Sequence, residues 1–441
     1  MPRGTMIWPG PFFFAAFFIV ALPLLRSAPA GAAQPSPAGL EKYVCVSCHE
    51  GLKPDPAEKV PDPDMVRLSA PVEDWKASAH FEAGVMCADC HGGNPKDEGL
   101  AMDAAEGYIG KPKTSDIPKL CAKCHSDAKM MRAFNQRADQ FDLYSGSIHG
   151  RKMAEGDMEA PTCISCHGKH KILKVKDVNA LVNRRNIPQT CGECHAKKNI
   201  FARRGKPFNE LDMYKKSRHY EKFSQGDVLA PNCKDCHGNH DITPAKSERT
   251  QTVCFGCHAV QAENYKASAH WAAFKKGGEP VCLHCHKNHD VSRPTEAKFD
   301  GKGPVDCSAC HDDASPAYKM GLDIQSMVKS TTNAVQTAAL ELEDYKAHAH
   351  GGFEISDIED RLGKAKARLA DLRALTHKME RDPLRKESEA VISQAQGVSE
   401  DIHRIMSEIR TRKIGLAGAW FVFAGLMYSM WAKARTYERK E

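Results

Sequence analysis

Apolar residues in this chain of 441 residues gather at its two ends and in two periodic stripes. The long stretch between is sparing with them. A run from Met6 to Leu25 follows Arg3 and gives way to small residues, with cleavage options after Ala30 or Ala33. That pattern predicts an export signal over residues 1–33, with an uncleaved anchor as the alternative its length allows. At the other end, Ile414 to Ala432 carries no charge and is long enough to cross a bilayer core as one helix. Trp420, Tyr428 and Trp431 are placed as interfacial aromatics, and Lys433, Arg435, Arg439 and Lys440 follow in a short tail, residues 433–441. The basic tail favours a cytoplasmic C-terminus, although Arg410, Arg412 and Lys413 on the other flank weaken that signal. The export signal decides the topology.

Upstream of this span the pattern is helical. Ile355, Ile358, Leu362, Ala365, Leu369, Leu372 and Met379 recur at mostly three- and four-residue steps. Pro383 is expected to break that stripe. Val391, Ala395, Val398, Ile402, Ile405 and Ile409 form a second one running toward the span. Residues 316–413 therefore read as a helical hairpin or bundle packed on the rest of the protein. A coiled-coil contact between two chains, and hence a homo-oligomer, is the competing reading.

Between residues 34 and 315 neither period holds for long, and glycine and proline are plentiful. Here the cysteines change the picture. All 18 of them fall into nine C-x-x-C-H units. The pairs are Cys45 and Cys48, Cys87 and Cys90, Cys121 and Cys124, Cys163 and Cys166, Cys191 and Cys194, Cys233 and Cys236, Cys254 and Cys257, Cys282 and Cys285, and Cys307 and Cys310. That spacing is the one for c-type haem attachment. Two thiols add to the haem vinyl groups, and the adjoining histidine is held under the iron. The proximal ligands are then His49, His91, His125, His167, His195, His237, His258, His286 and His311. Zinc sites of four cysteines would strand one of nine pairs, and neither zinc nor a disulfide framework requires histidine after every second cysteine. About thirty residues per motif is too little for an ordinary side-chain core, so nine haem groups must supply much of it themselves.

A second phrase repeats with the motifs: aromatic-x-x-Ser-x-His, as WKASAH at 75–80, YSGSIH at 144–149, YKKSRH at 214–219 and YKASAH at 265–270. Each precedes a second motif, and three of these second motifs read C-x-x-C-H-x-x-H, supplying His170, His240 and His289. In the first, Asn94 stands at that position. The unit is a two-haem module beginning at Cys45, Cys121, Cys191 and Cys254. A fifth, begun at Cys307, lacks its second motif and carries the variant phrase YKAHAH at 345–350. Of 21 histidines, twelve are not proximal. The repeats predict distal iron ligands at His80, His149, His219, His270 and His350 and at His170, His240 and His289. The last three lie too near their own motifs, so a neighbouring module is favoured for each. His350 is expected to cap the haem of Cys307, Cys310 and His311. A ninth distal ligand would come from His284, His348, His377 or His403, or one haem lacks a histidine there. The phrase serine is read as starting or capping a short helix, and the aromatic as packing on haem.

The formal charge of +6 does not argue for nucleic acid. Basic and acidic residues interleave along the chain, and the propionates of nine haems would more than cancel the excess. Residues 45–311 resemble the exported multihaem c-type cytochromes with doubled C-x-x-C-H motifs. The resemblance implies a mainly α fold with extensive loops: a haem-packed multihaem cytochrome c domain, a C-terminal helical hairpin or bundle, and one transmembrane helix. It implies electron transfer with no catalytic residue, in a single-pass protein of the inner membrane with its haem domain in the periplasm. The implied partners are redox proteins, among them a membrane quinol-oxidising complex, and periplasmic acceptors. Two alternatives compete. One is a catalytic reductase or dehydrogenase of the nitrite reductase or hydroxylamine oxidoreductase kind, although no C-x-x-C-K motif occurs. The other is an anchored scaffold subunit of a quinol-oxidising complex.

Overall fold

The computed structural model describes residues 43–53, 62–244, 247–277, 279, 281–291, 307–348 and 355–438. The export signal predicted over residues 1–33 lies outside them, as do His350, Arg439 and Lys440. Among the described residues the structure is helical and loop-rich, with no strand. Two compact units are distinguished. One comprises Met1–Pro112 with His170–Lys174, and the other Lys113–Lys169 with Val175–Glu441.

In the second unit, three long helices form a bundle: Pro316–His348, Ser356–Leu375 and Arg381–Glu438. Each contributes one apolar stripe. Ile324, Val328, Val335, Ala338, Leu342 and Tyr345 come from the first, Ile358, Leu362, Ala365, Leu369 and Leu372 from the second, and Leu384, Val391, Ala395, Val398 and Ile402 from the third. Ala338, Ala365 and Ala395 have no exposed surface, and with only a methyl group each they let the backbones approach closely. Thr331 Oγ1 and Ser388 Oγ share a buried hydrogen bond of 2.6 Å. At the edge, the Arg368 guanidinium makes a two-pronged contact with Glu387, at 2.8 and 2.9 Å.

Pro383 does not break the stripe. The break falls earlier, where Thr376–Lys378 make a tight turn and Met379 adopts a left-handed backbone with φ 56°. Pro383 then sits in the first turn of the third helix, where its missing N–H has no carbonyl to bond and its fixed φ suits the helix. That helix continues beyond the bundle. From Ile414 its apolar side chains are exposed, Phe421 at 81% and Tyr428 at 68%. The segment is long and apolar enough to cross a membrane, and none of its most apolar window is buried.

The motif regions are built differently. Each second motif folds as a five-residue helix: Cys87–His91, Cys163–His167, Cys233–His237 and Cys282–His286. In each, the residue before the first cysteine donates its backbone N–H to the side chain three positions on. These acceptors are Asp89, Ser165, Asp235 and the Nδ1 of His284. Such capping satisfies a donor that so short a helix leaves orphaned. It also accounts for His284, whose Nε2 faces Glu279 at 3.3 Å.

Candidate functional site

The aromatic–serine–histidine phrase is a structural joint. Its serines are buried, and they cap short helices that carry the histidines. Ser78, Ser147, Ser217 and Ser268 accept from the backbone N–H groups of Phe81, Gly150, Tyr220 and Trp271. The aromatic residue holds the entrance of its own module's second motif. Trp75 Nε1 donates to the Val85 carbonyl at 2.8 Å, Tyr144 Oη to Pro161 at 3.0 Å, and Tyr214 Oη to Pro231 at 2.8 Å. Each acceptor lies two residues before the first cysteine, so the aromatic fixes where the motif starts. Burial raises the Tyr144 hydroxyl to about 12, which keeps it a neutral donor.

The same joint reaches into the following module. The residue after the phrase serine donates its N–H to a carbonyl two residues beyond that module's C-x-x-C-H-x-x-H histidine. Ala79 bonds Ile172, Ile148 bonds Ile242, and Arg218 bonds Val291, all at 2.8–2.9 Å.

Histidine rings are brought together in the same register. The phrase histidines His149, His219 and His270 stand opposite His195, His258 and His311, with ring centres 6.3, 6.3 and 6.0 Å apart. Each therefore faces the first motif of the next module. In the reverse direction, His170, His240 and His289 stand opposite His91, His167 and His237, at 6.2, 6.0 and 6.0 Å. These face the second motif of the preceding module, a neighbour in each case. The seventh pair joins His286 to His377 at 6.0 Å. His377 lies in the turn between the second and third bundle helices, with its Nδ1 against the Ala374 carbonyl at 3.1 Å.

The separation fits an iron. Two metal–imidazole bonds of about 2 Å, each with about 1 Å more to its ring centre, set two rings about 6 Å apart. Burial lowers the proton affinity of eight of these rings. His149 is pushed down to about 4 by burial first and by the neighbouring His195 second. Burial also leads the downward shifts of His195, His219, His237, His240, His270, His289 and His377. A neutral imidazole is the form that ligates a metal, so these rings are held ready. On the proximal side, His49 and His91 each place Nδ1 against a carbonyl, that of Leu68 at 2.7 Å and that of Gly110 at 2.8 Å. That would leave the other nitrogen to take a metal.

The cysteines put the motifs in spatial order. Within modules the leading thiols meet: Cys45 with Cys87, Cys121 with Cys163, Cys191 with Cys233, and Cys254 with Cys282. Between modules of the second unit, Cys166 lies near Cys194, Cys236 near Cys254 and Cys257, and Cys285 near Cys307 and Cys310. In that unit the motifs follow one another in space as they do along the chain.

His270 stands opposite His311, the place expected for His350, which lies outside the described residues. The joint explains the shift, since it clasps each phrase to the module that follows it. The phrase aromatics, expected to pack on haem, hold the second motif by hydrogen bonds. His80 begins the helix Ala79–Glu82 as the phrase predicts, and His125 is buried enough for its proton affinity to be lowered. Of the four further candidates, His284 is a helix cap, and His403 is exposed beside Glu341 at 3.2 Å. Among the described side chains, His377 is the one of the four that meets a motif histidine, and the side chain of His348 lies outside them. The signal for His377 was its place at the end of a stripe, where a side chain can leave the bundle.

Known proteins match parts of the chain. The cytochrome c3 family model matches residues 79–196. A multiheme cytochrome MtrA of Shewanella baltica is 27% identical over 36% of this chain and 33% of its own length. A high-molecular-weight cytochrome c of Nitratidesulfovibrio vulgaris is 23% identical over 56% of this chain and 42% of its own. The chain thus spans less than half the length of these curated relatives. No solved structure matches it.

Proposed function

We propose that the chain is a membrane-anchored nine-haem c-type cytochrome that carries electrons, a reading its likeness to multihaem cytochromes supports. Its electrons would pass from a quinol-oxidising partner in the membrane to periplasmic acceptors. The observation that carries this reading is the set of seven imidazole pairs about 6 Å apart, arranged along motifs that succeed one another in space. Haem c bound at each motif supplies a one-electron iron couple. At the seven paired sites the protein's part would be to hold that iron between two imidazoles, a ligation that changes little between oxidation states.

In this reading the cysteine pairs attach the haems, and His49, His91, His125, His167, His195, His237, His258, His286 and His311 are proximal. His149, His219 and His270 serve the first motif of the next module, and His170, His240 and His289 the second motif of the previous one. His377 takes over that second role where the fifth module has no second motif. His80 holds the corresponding place in the first phrase. The apolar segment Ile414–Ala432 anchors the protein in the inner membrane, with the haem region outside the cytoplasm.

The test is direct. Intact mass of the purified protein is expected to exceed that of the chain by nine haems, and the protein to fractionate with membranes. Removing residues 414–441 should release it to the soluble periplasmic fraction. Membranes that oxidise quinol should reduce it, and an inhibitor of that oxidation should stop the reduction. Fewer than nine haems, or no reduction by such membranes, would overturn the reading.

A further inference from the structure

We infer that the haem held by Cys45, Cys48 and His49 has no protein ligand on its distal side. It would therefore bind a small exogenous ligand that donates a lone pair to iron. This rests on the nine-haem reading and concerns the one site that the exchange of histidines between modules cannot reach.

The first unit contains two motifs that are alike on the proximal side. His49 and His91 each fix Nδ1 on a backbone carbonyl, at 2.7 and 2.8 Å. Their helices meet through Cys45 and Cys87. They differ on the other side. His91 has His170 opposite it at 6.2 Å, whereas among the described residues no histidine ring stands opposite His49.

The direction of the exchange explains this. His149, His219 and His270 each serve a first motif later in the chain than themselves. No phrase precedes Cys45, so none is available to His49. The same rule accounts for Asn94. In later modules the corresponding histidine serves the preceding module, and the first module has none before it. Asn94 instead folds its own loop, its side chain accepting from the Lys96 N–H at 3.1 Å. Asn94 thus stands where later modules have that histidine, and among the described residues none faces His49. Helix Pro63–Lys76, which supplies the Leu68 carbonyl to His49, packs on the proximal side, and Cys48 is exposed.

The experiment uses the full-length protein. Intact mass comes first, because a count below nine counts against the carrier reading and leaves this one without its premise. With nine haems attached, the oxidised protein should show one high-spin ferric haem per chain. The dithionite-reduced protein should bind one equivalent of carbon monoxide. Nine low-spin haems and no carbon monoxide binding would overturn the inference while leaving the carrier intact.

Location is tested by Cys48→Ala, which leaves the haem on one thioether and one vinyl group conjugated with the ring. The band of the carbon monoxide complex should then move to longer wavelength. An unmoved complex, with the shift appearing among the low-spin haems, would overturn the assignment to His49. In Cys45→Ala/Cys48→Ala, carbon monoxide binding should fall from one equivalent to none, and retention of the full equivalent would likewise overturn it.

Discussion

The helical bundle and the haem-motif region solve the problem of a core in opposite ways. Among the described residues the bundle buries seventeen apolar side chains in about a quarter of the chain, and the motif regions bury fourteen in more than half. The bundle can close around its own leucines and valines. The motif regions place half-buried cysteines and buried, neutral histidines where such a core would be. Apart from the 14-residue helix Pro63–Lys76, their α-helices have four to nine residues, where the bundle has helices of 20 residues and more. Short helices are marginal on their own. The bundle should therefore be a folded object with or without cofactor, and the motif region should be folded only with it.

The largest expected effect comes from withholding haem. Full-length chain made without haem attachment should lose protease resistance over residues 43–311 and keep a resistant helical fragment from about residue 316 onward. Limited proteolysis with mass spectrometry reads both. A resistant motif region in such material would erase the contrast.

Next comes the bundle core. Leu372→Ala removes a side chain with no exposed surface and should cost about 2–5 kcal/mol of bundle stability. Denaturation followed by circular dichroism measures this, and the Soret spectrum of haems other than that of His286 should stay put.

His377→Ala tests where the two regions meet. One haem should go from low-spin to high-spin and its potential should move, while the bundle, whose core excludes this side chain, changes by less than about 1 kcal/mol. His284→Ala, which removes a cap and no ligand, should leave the spin state of every haem unchanged.

The smallest effect concerns Asp401, whose carboxyl is held below its ordinary value chiefly by the hydrogen bond from Arg361 at 2.5 Å. A depressed acid stabilises the fold above its unfolded value, near 4, and loses that contribution as the pH falls below it. Asp401→Asn should cost under about 1 kcal/mol at pH 7 and nothing at pH 2, by denaturant melts at the two pH values.

The two regions also differ in what could be read in advance. The proximal half of every candidate site could be proposed from sequence, because thioether chemistry ties two cysteines and a histidine to one spacing. The bundle's later stripes were legible because burial on one helix face repeats every three or four residues. The register of the distal histidines was not. His270 and His350 end nearly the same six residues, and nothing local says which module each reaches. That choice is made by a backbone bond such as Arg218 N–H to Val291, about seventy positions away in sequence. His377 was equally hidden, since a lone histidine after a helical stripe carries no repeat. Asn94 was visible from the start as a departure, and its meaning appeared only with the register.

The reciprocal joint has a consequence for length. Every interior module presents the same two hooks to its neighbours, one histidine sent forward and one sent back, with one backbone bond beside them. Removing the stretch from Cys191 to Thr252 would leave the second module facing the fourth across matching hooks. The array is in that sense a ruler graduated in steps of two haems, and the distance it spans can be reset by whole modules without redesign of either end.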